Sequence, residues 1–195
     1  MEAQSMSVDR RLLEGHVRES NAIENIFVGQ KHHFFADHLA AAQFVGRSVE
    51  EGLNVAARPD EIHRILMGRE MADAGKFRLV WVRVGQHLKP PPEIVEALLE
   101  QWRESLAKNI GRKYLALHRR EELAWRYHHW FEVIHPFRDG NGRTGRLILN
   151  GIRLRLGLSW LIVPLSGRED YYKSIREWEI RYGALLGSDS ELSLI

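Results

Sequence analysis

His135-Pro136-Phe137-Arg138-Asp139-Gly140-Asn141-Gly142-Arg143-Thr144-Gly145-Arg146 is the stretch on which the reading of the whole chain turns. Its twelve residues gather one imidazole, one carboxylate, three glycines and three arginines between two segments that are mostly apolar or aromatic. Charged groups near a core lose hydration and must recover it from a partner. A polyanion with a bound cation would be such a partner. Gly140-Asn141-Gly142 lies just before a segment of helical periodicity, where free N–H groups and the positive end of the helix dipole face outward. Glycines let that backbone approach a phosphate closely or take up positive φ to form an anion nest. Arg143 and Arg146, three apart on one helix face, are placed to clamp further phosphate oxygens. Asp139 is the natural ligand for Mg²⁺, which prefers one or two carboxylates plus phosphate oxygens. His135 is a base whose ordinary pKa suits neutral pH. Singly, each feature also occurs in a plain helix connection; together they read as a phosphate-handling site.

Working upstream, residues 121–134 carry Leu123, Ala124, Tyr127, Trp130, Phe131 and Ile134, which nearly ring a helix and predict a central one. Pro136 disfavours helical geometry at His135, so the imidazole should sit where this helix gives out. Before it, Pro90-Pro91-Pro92 starts a helix over residues 93–108 with Ile94, Val95, Leu98, Leu99, Trp102 and Leu106 on one stripe. Residues 77–84 alternate β-branched and aromatic side chains, with Gly85 behind them, and predict a strand. A lone strand is unstable, so its return through residues 86–89 should make a small hairpin. Its edge could pair with an extended segment of another protein, or be an ordinary surface hairpin.

Three helices are expected nearer the N-terminus. Residues 9–27 show loose helical spacing, and within them Ser20 and Glu24, four apart, share a face. By itself Glu24 reads as a solvated carboxylate. His32-His33-Phe34-Phe35 opens a second helix towards Gly46, with no metal-ligand spacing after the paired histidines. Pro59 suits the first turn of a third, which carries Ile62, Ile65 and Leu66 inward and should end near Ala74-Gly75. Downstream of the central stretch, residues 147–156 are helical, residues 159–164 extended, and residues 168–186 a last helix containing Tyr171 and Tyr172. Residues 188–195 read as a frayed tail.

The 195 residues fit one domain. Hydrophobic residues make up 44% and charged ones 28%, a globular balance. Net charge is +2 from 28 basic and 26 acidic residues, so the pI near 9.0 reflects near-cancellation and makes nucleic acid an unlikely partner. There is no cysteine, which excludes disulfides and thiolate metal sites. No signal-type N-terminus and no membrane-span-length apolar run is found, so the expected location is cytoplasmic, without membrane contact.

Gly140, Gly142 and Gly145 also spell G-x-G-x-x-G, which invites a dinucleotide-binding βαβ reading. The glycine turn of that motif follows its strand almost directly, whereas residues 135–139 intervene here and the segment before them is helical. No second βαβ unit exists for a sheet to grow from. A P-loop, G-x-x-x-x-G-K-(S/T), is absent as well.

The central stretch resembles the signature of Fic-domain proteins, H-x-F-x-(D/E)-G-N-G-R-x-x-R, at every fixed position. The resemblance extends over residues 59–182, with the segment near Trp81, the proline turn and the Tyr171-Tyr172 pair falling where that family has its flap and a nucleotide-contacting helix. It implies a mainly α Fic fold, a single domain over residues 1–195 with a core at 59–186 and a small β-hairpin flap. It also implies transfer of AMP from ATP to a protein hydroxyl, with ATP and Mg²⁺ as cofactors. By that resemblance His135 takes the proton of the target hydroxyl and Asp139 holds Mg²⁺. Gly140, Asn141 and Gly142 stabilise the phosphates, with Arg143 and Arg146 reaching the outer ones and Thr144 and Gly145 completing the motif. Phe137 is a packed anchor. Val84, Gly85, Gln86 and His87 form the flap over nucleotide and target, the target docking by strand addition near residues 77–88. A homodimer is a further implication of the family alone.

Ser20-Asn21-Ala22-Ile23-Glu24-Asn25 resembles the inhibitory pattern (S/T)-x-x-x-E-(G/N) of many Fic proteins, here within N-terminal helices spanning residues 1–50. In those proteins the glutamate pairs with the second arginine of the motif, here Arg146, and obstructs the productive γ-phosphate position. Glu179 stands where some relatives have an asparagine near the adenine, which leaves base preference open. Gly142 favours nucleotidyl transfer over the kinase-like branch, which has lysine there. Two alternatives remain: removal of AMP from a modified protein, with Glu24 positioning water, and a non-catalytic nucleotide or nucleic-acid binding module.

Overall fold

The computed structural model describes residues 8–27 and 32–183, so the frayed-tail expectation lies outside the described residues. It is mainly helical, with α1 (Arg10–Ile23), α2 (His32–Glu50), α3 (Pro59–Met67), α4 (Val95–Asn109), α5 (Leu117–Ile134), α6 (Asn141–Arg155) and α7 (Arg168–Tyr182), and one two-stranded sheet of β1 (Arg83–Val84) and β2 (His87–Leu88) among the described residues. No helix of the described residues is long and apolar enough to cross a membrane.

Helix α6 is the axis of the molecule: it packs against α1, α2, α3 and α5, and its side chains are buried from Arg143 to Arg153. Leu147, Ile148, Leu149 and Ile152 fill the space between the helices together with Phe131 and Ile134 of α5 and Trp102 of α4, all fully enclosed. Burying side chains of this size stabilises each by about 1.5–3 kcal/mol relative to exposure. Trp102 settles its one polar atom by donating to the Tyr127 carbonyl at 2.9 Å, as a buried indole must.

Helix α5 ends at His135, whose φ of 51° is left-handed; the proline behind it bars the right-handed continuation. The helix begins earlier than expected, at Leu117. Three further expectations are corrected. Residues 77–82 are not strand, and only Arg83 with Leu88 and Val84 with His87 pair, antiparallel. Arg78 is the reason. Its N–H donates to the Pro136 carbonyl at 2.9 Å, and its guanidinium donates to the carbonyls of His135 (2.8 Å), Pro90 (2.7 Å), Val80 (3.1 Å) and Ile134 (3.3 Å). Those bonds tie the segment to the end of α5 and leave Leu79, Val80 and Trp81 facing solvent. Helix α3 stops at Met67 instead of near Gly75, because the Gly75 N–H donates to His63 Nδ1 at 2.8 Å and folds the chain back along α3. Ile94 lies in a 3₁₀ turn before α4 and is exposed rather than on its apolar stripe.

The core encloses an unusual number of imidazoles. Burial pushes His16 down to about 3 and His63 to about 4, and His38 and His128 well below the ordinary value of 6.5. The folded protein holds these rings neutral while an unfolded chain protonates them near 6.5, so stability is complete above that pH and is lost as pH falls. Glu132 works the other way, since burial raises it from 4.5 to about 7 and the folded protein takes up that proton first. Each group weighs ~1.4 kcal/mol per pH unit within its window, and four histidines outweigh one carboxyl. A fall in Tm of roughly 10 °C or more is expected between pH 7 and pH 5, measured by calorimetry. A flat Tm over that interval would mean that these rings are hydrated in solution.

Candidate active site at the start of helix α6

Gly140 caps α6 in the left-handed region, at φ 74°, and a Cβ there would come within 2.9 Å of the Met67 side chain. Asn141 closes the loop from within: its Oδ1 accepts the Phe137 N–H at 2.9 Å and its Nδ2 donates to the Phe137 carbonyl at 2.8 Å. Phe137 is fully buried and stacks on His63 at 3.8 Å between ring centres, while His63 Nε2 donates to the Asp139 carbonyl at 2.9 Å. The loop is therefore braced from behind, which is what a preorganised charge-stabilising site requires.

In front of it lies a cavity of about 590 Å³, a size usual for small-molecule sites. His135, Asp139, Gly140, Asn141, Gly142 and Arg143 line it together with Val84 and Gly85 of the hairpin tip, Glu24 and Ile26 after α1, and Tyr172 of α7. Gln86 and His87 are outside the lining. Thr144, Gly145 and Arg146 lie beneath the floor, with Thr144 and Arg146 fully buried. Tyr171 faces away from the cavity into the packing, where it meets His128 Nε2 at 3.1 Å and accepts from Arg146 Nη1 at 3.3 Å.

His135 Nδ1 lies 3.3 Å from the Glu132 carbonyl. A carbonyl only accepts, so the proton sits on Nδ1 and Nε2 carries the free lone pair. Burial, then the Lys89 cation, pushes the ring down to about 3, so it is an unprotonated base at neutral pH. In Arg143 the Nε and Nη1 donors are buried without a hydrogen-bond partner in the cavity wall, and the guanidinium lies 5.4 Å from the Phe34 ring centre. Orphaned cationic donors of this kind are costly to keep unless an anion completes them.

Arg146 is fully enclosed. Its Nε donates to Ser20 Oγ at 2.8 Å, and its Nη2 to the Ser20 carbonyl at 2.9 Å and to Glu24 Oε1 at 2.8 Å. Burial alone would lower its pKa, but Tyr171 and Glu24 hold it above the ordinary value. Glu24 is the C-cap of α1, one residue beyond its last, and it meets the same guanidinium as Ser20. Asn25 follows at φ 59° and accepts from Arg168 at 3.1 Å. Gly142 and Gly145 are inside α6 rather than in a nest. A Cβ on Gly142 would stand 2.5 Å from Glu24 Oε1, and one on Gly145 2.0 Å from Glu132 Oε1. These two glycines make room for carboxylates.

No cluster of three or more histidines, cysteines or carboxylates suited to a metal occurs among the described residues. Asp139 stands alone, with Oδ1 accepting the Gly140 N–H at 2.6 Å. A lone exposed carboxylate beside unpaired cationic donors fits Mg²⁺ that is otherwise held by phosphate oxygens and water.

Sequence reasoning missed three residues. Lys89 is buried, lines the cavity and donates to Glu179 at 2.9 Å; its place in an expected strand hid it. Glu132 is also buried in the lining, and its position three before His135 on α5 was the available signal. His63 had none.

A helical domain with a short hairpin leaning over an anion-ready helix start is thereby defined. Residues 58–152 match the Fic/DOC family, and the chain carries a Fic domain with the Fic fold. It is 36% identical over 118 residues to the protein adenylyltransferase Fic of Nematostella vectensis, covering 60% of this chain and 27% of that protein. To the protein adenylyltransferase Fic of Drosophila grimshawi it is 33% identical over 149 residues, covering 72% and 29%. The chain thus spans well under a third of the length of these curated relatives. Among solved structures, a Fic domain containing signaling protein from Bacteroides thetaiotaomicron superposes with a TM-score of 0.67 at 17% identity, covering 88% of this chain and 73% of that one, which is a likeness of fold. A segment of Fic-1 from C. elegans superposes at 0.66 with 25% identity, covering 96% and 60%.

Proposed function

We propose that this protein is a nucleotidyltransferase that moves AMP from ATP to a hydroxyl side chain of a target protein, and that Glu24 restrains it. The observation that carries this reading is the neutral imidazole of His135, with Nε2 free, across one cavity from the unpaired donors of Arg143. The name protein adenylyltransferase borne by the curated relatives supports it. In the reaction the target oxygen forms a bond to the α-phosphorus, the bond from that phosphorus to pyrophosphate breaks, and the hydroxyl proton passes to His135 Nε2. The Gly140–Gly142 backbone and Arg143 meet phosphate charge from positions already fixed by packing, so little reorganisation is needed at the moment of transfer. Asp139 would hold Mg²⁺, which supplies further neutralisation of the phosphates. Val84 and Gly85 of the hairpin tip would bring the target to the cavity, their exposed edge being free to take an added strand. Tyr172 is the α7 ring placed to contact nucleotide, whereas Tyr171 supports Arg146.

Removal of AMP from a modified protein is the second reading, favoured by the position of the Glu24 carboxylate in the cavity lining. Incubation with ATP labelled at the α-phosphate, with Mg²⁺ and cell lysate, tests the proposal. Label on protein is expected, more of it when Glu24 is changed to glycine and none with ATP labelled at the γ-phosphate. Absence of α-label in every condition, with release of AMP from a premodified target, would favour the second reading.

A further inference from the structure

Glu132 is a carboxylic acid that the proposed reaction does not use, yet it is set beside the base. It is 5% exposed and lines the cavity, and its Oε1 has no hydrogen-bond partner. A buried carboxylate with an open acceptor costs stability, and the fold has made space for it: the missing Cβ of Gly145 leaves room for an oxygen that would otherwise be 2.0 Å away. No hydrogen bond is gained from that oxygen. Its other oxygen, Oε2, is 4.0 Å from His135 Nδ1, and the carbonyl of the same residue is 3.3 Å from that nitrogen.

We propose that Glu132 is a positioning residue for His135: its carbonyl and carboxylate flank Nδ1–H from one turn of α5, holding Nε2 towards the cavity and stabilising the imidazolium that forms when Nε2 takes the target's proton. Both contacts come from a residue three positions earlier on a rigid helix, so they persist while the left-handed His135 backbone fixes the ring's base. The chemistry is that of a carboxylate behind a catalytic histidine, in which the acid orients and stabilises the ring without itself reacting with substrate. At 3.3 Å the carbonyl bond is long, so a proton acquired at Nε2, which strengthens Nδ1–H as a donor, will draw the ring towards the acidic oxygen.

The groups facing the carboxyl are Arg146 from α6, Lys89 from behind β2, Glu24 from the end of α1 and Tyr171 from α7. Burial raises Glu132 to about 7, with Glu24 adding to the rise and Arg146 and Lys89 opposing it. Glu132 therefore becomes an anion as pH rises through neutrality, and transfer should rise with it.

The inference rests on adenylyl transfer as the activity, and the test separates the two. In a Glu24→Gly background, Glu132→Gln is expected to lower kcat about 10- to 100-fold with KM for ATP unchanged, and to remove the step in kcat near pH 7. Glu132→Asp, which keeps the charge on a shorter arm, should recover part of the loss. A kcat within about threefold of the parent, or parallel losses of kcat, ATP affinity and Tm, would overturn the positioning role. Independently of activity, nitrogen-15 spectra of the otherwise unmodified protein, with the His135 signal assigned by its loss in His135→Ala, should show Nδ1 shifting near pH 7, a shift absent from Glu132→Gln. A His135 signal that ignores that pH range also overturns it. If the parent labels no protein while the shift is present, the activity assignment fails and the Glu132–His135 coupling stands.

Discussion

A His135→Ala protein should bind ATP as tightly as the wild type and transfer AMP about 10²- to 10⁴-fold more slowly, the range typical for loss of a positioned general base. The two effects separate because the groups that would meet phosphate do not depend on the imidazole. Gly140 is held by its left-handed cap, Asn141 by its two bonds to Phe137, and Arg143 by its burial in α6. His135 contributes no hydrogen bond to any of them; its partner is the Glu132 carbonyl behind it. Isothermal titration with ATP and a single-turnover assay on one labelled target read the two quantities. If ATP affinity falls as steeply as the rate, His135 serves the loop's structure instead.

The second large effect concerns Glu24. Replacing it by glycine should raise AMP transfer or self-modification at least about tenfold, a barrier change of only ~1.4 kcal/mol. Arg146 keeps its bonds to Ser20 Oγ, the Ser20 carbonyl and Tyr171 when Glu24 is lost, so the arginine stays in place and the fold should survive. What changes is the cavity. The Glu24 carboxylate stands over the first turn of α6, so close to Gly142 that a Cβ there would be 2.5 Å from its oxygen. It thus brings negative charge to the place where a phosphate would lie, and its removal frees both that space and one Arg146 donor. Equal rates for wild type and Glu24→Gly on the same target would refute the restraint.

These two residues illustrate how differently the site's parts were legible. His135 could be placed at the end of a helix because Pro136 follows it, a constraint carried by the neighbouring residue alone. The same locality made α1, α4 and α5 readable from apolar spacing, with boundary errors of a few residues. Residues 77–82 misled because β-branched and aromatic alternation reports only that a segment would suit a half-buried sheet. Arg78 instead spends its guanidinium on the carbonyls of Val80, Pro90, Ile134 and His135, the last two 56 and 57 residues away. Tyr171 and Tyr172 are equivalent in sequence, yet one points into the packing beneath Arg146 and the other into the cavity. Helical rotation between adjacent residues separates them.

By itself, the sequence determined the chemical inventory of residues 135–146, the helical class and the break at Pro136, because each depends on covalent identity or on neighbours within a turn or two. Tertiary structure decided what the charges are for. It set Glu24 against Arg146 across 122 positions and left Nε and Nη1 of Arg143 without a hydrogen-bond partner. It also brought Lys89 to the base and Arg146 to Glu132, and used Gly142 and Gly145 as space for carboxylates. Such pairings arise only when separate helices are packed, since a buried charge takes whichever partner the fold brings within a few ångströms, and nothing in local periodicity specifies which that will be.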